Sequence, residues 1–138
     1  MSISMIGIDH SKASVDIRAK FSFTKKRAIE AMKKLKEEHG ILGCIILSTC
    51  NRMEVWVSTQ DDEEISLYDF LCKEKEVEKD EYQNYFMKRE NEEAVRHLFY
   101  LTSGLKSQIL AEDQIITQVK DALTLARDAY CTDNVLEV

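Results

Sequence analysis

Gly43-Cys44-Ile45-Ile46-Leu47-Ser48-Thr49-Cys50-Asn51-Arg52-Met53-Glu54-Val55-Trp56-Val57-Ser58 is the segment from which the architecture of this chain can be read. Residues 43–48 are β-prone and almost continuously apolar, the mark of a central strand covered on both faces. Residues 54–58 form a second strand through Val55, Trp56 and Val57. The small polar group between them, residues 49–52, has to be a hairpin, so the two strands run antiparallel. Before this pair, residues 2–8 alternate into an apolar run and stop at Asp9-His10-Ser11, which offers turn chemistry. Thr24 can cap a helix over 25–39 whose residues Ala28, Ile29, Met32 and Leu35 share one face, with Phe23 placed to staple against Ala28 and Gly40 to stop the helix.

After the hairpin, Asp61 or Asp62 can cap a second helix carrying Ile65, Tyr68 and Leu71, and residues 85–87 read as a short final strand. The order β-α-β-β-α-β predicts an α+β fold of the split β-α-β, ferredoxin-like kind, with two helices on one face of an antiparallel sheet. Additional C-terminal helices follow. Asn91 can cap one through Val95, Leu98 and Phe99, Gly104 ends it, and a longer helical pattern runs through Ile115, Ile116, Val119, Leu123 and Ala126. Residues 131–138 lose this periodicity.

Composition narrows the class. A chain of 138 residues, 44% hydrophobic and without proline, suits one compact domain. It has no long apolar span and no signal-like N-terminus, so a soluble, cytoplasmic protein without a membrane partner is expected. Cys44, Cys50, Cys72 and Cys131 form no CxxC pair and no zinc-ribbon spacing, which predicts free thiols, with neither a disulfide framework nor a metal site. The net charge of −6 is unevenly spread: the first sixty residues are net basic and residues 61–95 strongly acidic. A phosphate-bearing partner would favour the N-terminal part, although Lys25, Lys26, Lys33, Lys34 and Lys36 equally suit the solvated side of a helix.

Cys50 is the side chain best placed for chemistry. An apolar strand delivers it into small polar and cationic company, and a thiolate, the nucleophilic form, is stabilised where a cation stands near. Arg52 could supply that charge. Cys44 lies inside an apolar strand, and Cys72 and Cys131 lack polar neighbours, so these three read as inert. His97 has partly apolar helix neighbours in Ala94 and Leu101 and would by itself suit a buried core position. His39, at a helix end, is explained by the helix dipole.

With these residues in view, the chain resembles glutamyl-tRNA reductase, specifically its N-terminal catalytic domain. The resemblance is carried by Ile6-Gly7-Ile8-Asp9-His10, by the segment from Leu47 to Glu54, by Gly104-Leu105-Lys106-Ser107, and by Glu112-Asp113-Gln114-Ile115 with Gln118-Val119-Lys120. It spans nearly the whole chain and implies a ferredoxin-like fold with added helices. It further implies conversion of glutamyl-tRNA to glutamate-1-semialdehyde, which opens tetrapyrrole (porphyrin) biosynthesis by the five-carbon route. By position, Cys50 would attack the aminoacyl ester to form a glutamyl thioester, which NADPH would then reduce. Arg52 would grip the substrate carboxylate with its planar fork, depress the thiol pKa, or do both. Thr49, Ser107, Glu112 and Gln114 would complete the substrate pocket. His97 would serve as base or orienting group, and His10 would order the loop or touch substrate.

The chain departs from the family at Asp9, Lys106, Ala111 and Thr117, where asparagine, aspartate, glycine and glycine are usual. Lost glycines remove positions of close backbone approach, so either an active branch or altered substrate handling stays open. No GxGxxG fingerprint occurs, and the glycines at 7, 40, 43 and 104 cannot form one. NADPH is therefore expected on a domain outside this chain, with a helical region for homodimerisation. Residues 1–138 then read as the single catalytic domain of a longer reductase. The competing class is a non-catalytic ligand- or partner-binding module on the same fold, and a weaker one is a metal site at Cys50, His10 and His97.

Overall fold

The computed structural model describes residues 2–39, 41–60, 66–102, 121, 122 and 124. Strand β1 (Ser2–Asp9) leads through the short helix α1 (Val15–Lys20) into α2 (Lys25–His39). The hairpin of β2 (Gly43–Ser48) and β3 (Arg52–Thr59) follows, then α3 (Leu67–Lys75), α4 (Lys79–Tyr82), a 3-10 turn (Gln83–Tyr85), β4 (Met87–Glu90) and α5 (Asn91–Thr102). The four strands form one sheet in the order β2-β3-β1-β4, and every neighbouring pair is antiparallel.

Helix α2 has the predicted bounds. Thr24 Oγ1 accepts the Arg27 N–H at 3.2 Å, and Ala28, Met32 and Leu35 are buried with Ala31, while Ile29 packs at the margin of the core. Their apolar side chains join those of α3 and the inward residues Ile6, Ile8, Cys44, Ile46, Met53, Val55 and Val57 in one cluster. Phe21 seals its edge, set edge-on to Phe86 at 4.9 Å and to Tyr82 at 5.4 Å.

The opposite sheet face is also covered. Helix α5 lays Ala94 against Met5 and Trp56, and Ala122 meets Leu47. Strand β3 is consequently buried at all eight positions, although Arg52, Glu54, Ser58 and Thr59 are polar. The expectation of a central strand at residues 43–48 is corrected: β2 stands at the sheet edge and β3 is interior. An apolar run reports coverage of both faces of a strand, and β2 has that without two neighbours.

Other boundaries move for local reasons. The hairpin turn is residues 49–51, because Arg52 and Met53 already pair with Asp9 and Ile8 of β1. Helix α3 is capped by Ser66, whose hydroxyl accepts the Asp69 N–H at 3.2 Å, rather than by Asp61 or Asp62. The last strand is Met87–Glu90, not residues 85–87. Its alternating exposure (Lys88 and Glu90 out) is that of an edge strand, which polar residues can form when a neighbour supplies the pairing. Asn91 does not act as a simple cap. Its φ of 49° turns the chain out of β4, and its Oδ1 accepts the Ile3 N–H of β1 at 3.1 Å. Gly40, Gly104 and the helical pattern proposed over 115–126 lie, apart from residues 121, 122 and 124, outside the described residues.

Candidate active site

Two turns at the same end of the sheet meet next to Cys50. The first follows β1: Asp9 Oδ1 accepts the Ser11 N–H at 3.0 Å and the Ser11 hydroxyl at 2.5 Å, and the Lys12 and Ala13 N–H groups close on the Asp9 carbonyl. The second joins β2 to β3. Thr49 Oγ1 accepts the N–H groups of Asn51 at 3.1 Å and Arg52 at 3.2 Å, while the Thr49 N–H donates to the Arg52 carbonyl at 2.8 Å. The His10 N–H then donates to the Asn51 carbonyl at 3.1 Å, tying one turn to the other. Cys50 sits between Thr49 and Asn51, exposed and free, whereas Cys44 and Cys72 are free but buried. A hydroxyl residue at 49 is thus explained by the turn it builds, since short hydroxyl side chains satisfy nearby backbone donors.

Beneath this turn the α5-facing side of β3 carries a polar network that strand alternation assembles from residues 52, 54 and 56. Arg52 is 1% exposed, and its Nη1 lies 3.7 Å from both Asp9 Oδ2 and Glu54 Oε2. Glu54 Oε2 also meets His97 Nε2 at 2.6 Å, and Glu54 Oε1 accepts the Trp56 Nε1–H at 3.0 Å. The Trp56 and His97 rings stack with centroids 6.1 Å apart and planes 18° from parallel. Burial works against the charge on Asp9, but the Ser11 hydroxyl and N–H, followed by Arg52 and His10, outweigh it and hold the carboxyl below its usual range.

Of the residues singled out by sequence, Thr49, Cys50, Arg52 and His10 come together through the paired turns, and His97 joins Arg52 through Glu54. Ser107, Glu112 and Gln114, with Lys106, Ala111, Thr117 and Cys131, lie outside the described residues. Sequence reasoning missed Glu54 and Trp56. Their signal was available: in the segment Met53-Glu54-Val55-Trp56-Val57 one face alternates apolar, and the other pairs an acid with an indole two residues on. Among the described residues no group of three or more His, Cys, Asp or Glu is placed to hold a metal ion, so Cys50, His10 and His97 do not converge as one. Nor is any helix among them long and apolar enough to cross a membrane.

The site therefore defines a class: a mixed α/β domain that presents one free thiol on a tight turn, backed by a buried arginine–carboxylate–histidine network. The family model of the glutamyl-tRNA(Glu) reductase N-terminal domain matches residues 6–138, and the chain belongs to that family. It is 42% identical over 138 residues to the glutamyl-tRNA reductase of Acetivibrio thermocellus, covering all of this chain and 42% of that protein. To the glutamyl-tRNA reductase of Alkaliphilus oremlandii it is 38% identical, covering 100% of this chain and 41% of the relative. The Ruminiclostridium josui protein named "Probable multifunctional siroheme biosynthesis protein HemA" is 35% identical over 99% of this chain and 27% of its own length. Among solved structures, glutamyl-tRNA reductase from Methanopyrus kandleri superposes with a TM-score of 0.80 at 31% identity, over 98% of this chain and 30% of that one. The chain thus spans about two-fifths or less of the length of these relatives.

Proposed function

We propose that this chain performs the acyl-transfer half of glutamyl-tRNA reduction, with Cys50 as nucleophile. The observation that carries the reading is the exposed free thiol of Cys50, held on a tight turn beside Arg52 in a chain of this family. The Cys50 sulfur attacks the ester carbonyl of glutamyl-tRNA, a C–S bond forms, and the bond to the 3′-terminal ribose oxygen breaks. The tRNA leaves carrying the proton that the thiol gave up, and the glutamyl group stays as a thioester. Thr49 and His10 act through the turns they hold. Arg52 takes the substrate's side-chain carboxylate; because it is 1% exposed, only a group that itself enters the protein reaches it. For Ser107, Glu112 and Gln114 the family resemblance implies contact with substrate. His97, whose Nε2 is engaged by Glu54, suits the orienting role better than that of a base free to meet substrate.

NADPH held elsewhere would supply the hydride that takes such a thioester to glutamate-1-semialdehyde, the entry to tetrapyrrole synthesis. The described residues do not fit that cofactor. The sheet is antiparallel throughout, whereas a dinucleotide cradle needs a parallel β-α-β unit with a glycine-rich turn. We place NADPH and the homodimer contact on parts of a longer cytoplasmic protein, of which residues 1–138 are one catalytic domain. The strand order with α2 and α3 on one face supports a ferredoxin-like sheet, to which helix α5 is added.

Incubation with glutamyl-tRNA in the absence of NADPH, followed by intact-mass and peptide analysis, tests the chemistry. A glutamyl adduct is expected on Cys50 and none in Cys50→Ser. An adduct on Cys44, or no adduct, removes the assignment and favours a non-catalytic binding module.

A further inference from the structure

Acyl transfer as described makes no use of Glu54, yet three side chains of the site converge on it. Glu54 is 2% exposed, and a carboxylate so placed persists only when its oxygens are matched by donors or cations. Here both are. Oε1 receives the Trp56 indole N–H at 3.0 Å, and an indole nitrogen can only donate, so this bond fixes the rotation of the carboxylate. The rotation in turn aims Oε2 at His97 Nε2, 2.6 Å away, and at Arg52 Nη1, 3.7 Å away. Gly7 faces Glu54 across the β1–β3 pair and makes the room: a Cβ there would stand 2.9 Å from Glu54 Cγ.

The 2.6 Å contact carries a tautomeric consequence. An ionised carboxylate has no proton to give, so the hydrogen of this bond belongs to His97 Nε2, and in the neutral ring Nδ1 becomes the acceptor nitrogen. Stacking on Trp56 holds the ring plane while Glu54 holds its edge. We infer that Glu54 is a positioning residue for this reaction. It sets the His97 tautomer and the direction of the Arg52 guanidinium, and so shapes the pocket that takes the glutamyl carboxylate beside Cys50, a role that rests on the acyl-transfer chemistry proposed above.

Two measurements on the full-length protein test this. Long-range proton–nitrogen correlation spectra of protein with nitrogen-15 histidine report the tautomer of His97 directly, and the Nε2–H form is expected in the unaltered protein. Glu54→Gln keeps the shape but can turn its one carbonyl to only one of the two donors. Its His97 signature should move toward the Nδ1–H form, and the rate of Cys50 acylation by glutamyl-tRNA should fall about tenfold or more. Trp56→Phe, which keeps a ring against His97 and the carboxylate beside it, should retain the Nε2–H tautomer with a smaller loss of rate. An Nδ1–H tautomer in the unaltered protein overturns the inference, whether or not any variant folds. A folded Glu54→Gln with unchanged acylation overturns it while leaving the role of Cys50 intact. Absence of any Cys50 adduct in the unaltered protein takes down both.

Discussion

At the level of single residues, Asp9 and Arg52 bring opposite charges to within 3.7 Å of each other away from solvent. Asp9 is held below the usual carboxylate range despite burial, because Ser11 donates twice to it and Arg52 and His10 lie near. A depressed folded-state pKa adds stability that is complete above the ordinary value of 3.8 and is lost as pH falls through the folded value. The midpoint of thermal unfolding should therefore drop on acidification below about pH 4, and the drop should be shallower in Asp9→Asn. Calorimetry over a pH series checks this, and identical acid limbs would assign the effect to other carboxylates. Arg52 tests the cost of an uncompensated charge. Arg52→Ala removes the buried cation that Asp9 and Glu54 share and should cost ~3–5 kcal/mol in urea unfolding. Arg52→Lys keeps the charge and most of the stability, but an ammonium lacks the two-pronged fork, so recognition of the glutamyl group should fall further than stability does. Equal losses in both would make Arg52 a structural residue only.

Among the elements, β1 and the β2–β3 turn set the geometry at Cys50. Thr49 Oγ1 serves two backbone donors, so Thr49→Val should cost roughly 1–2 kcal/mol by leaving them without that acceptor, whereas Thr49→Ser should cost less. Urea unfolding of the pair, run beside alkylation rates of Cys50, separates the turn's stability from the thiol's presentation. In β1, Gly7 is required by packing rather than by a special backbone angle. A methyl group there would meet Glu54 Cγ at 2.9 Å, Met5 Cε at 3.2 Å and the Met53 carbonyl at 3.3 Å. The Met5 terminus can swing aside, but Glu54 is gripped by His97 and Trp56 and the carbonyl belongs to β3. Gly7→Ala should cost about 1–3 kcal/mol, as overpacking does, and should displace the His97 resonance as well. A neutral Gly7→Ala would show that Glu54 is less tightly held than its contacts indicate.

Across the whole molecule, helices on both faces of the sheet let one strand carry the core on one side and the polar network on the other. If NADPH binds outside this chain, as proposed, no hydride donor would be held over the acyl carbon and proximity would contribute nothing to reduction. The 138-residue chain supplied with glutamyl-tRNA should then release free glutamate and deacylated tRNA slowly, at a rate indifferent to added NADPH and abolished in Cys50→Ser. Chromatographic detection of glutamate-1-semialdehyde from the chain alone would overturn that placement.

Local pattern determined much of this molecule. The bounds of α2 follow from Thr24 and a 3.6-residue apolar spacing, and the hairpin follows from two β-prone runs around a short polar and cationic segment. Family membership was legible in the segment around Cys50, where Ser48-Thr49-Cys50-Asn51-Arg52 is a distinctive run. The tertiary structure alone decided which strand is interior, since an apolar run looks the same at an edge covered by helices as at the centre. It also drew a strand from Met87-Lys88-Arg89-Glu90, which has no strand pattern of its own and exists because β1 offers a free edge. The helices α1 and α4 escaped notice because six and four residues are too few for periodicity to register, although Ser14 marks the start of the first. Glu54 escaped for a deeper reason. A carboxylate in a strand reads as solvent-facing until the donors that justify its burial are brought to it, and His97 comes from 43 residues away, on a helix that only folding lays across the sheet.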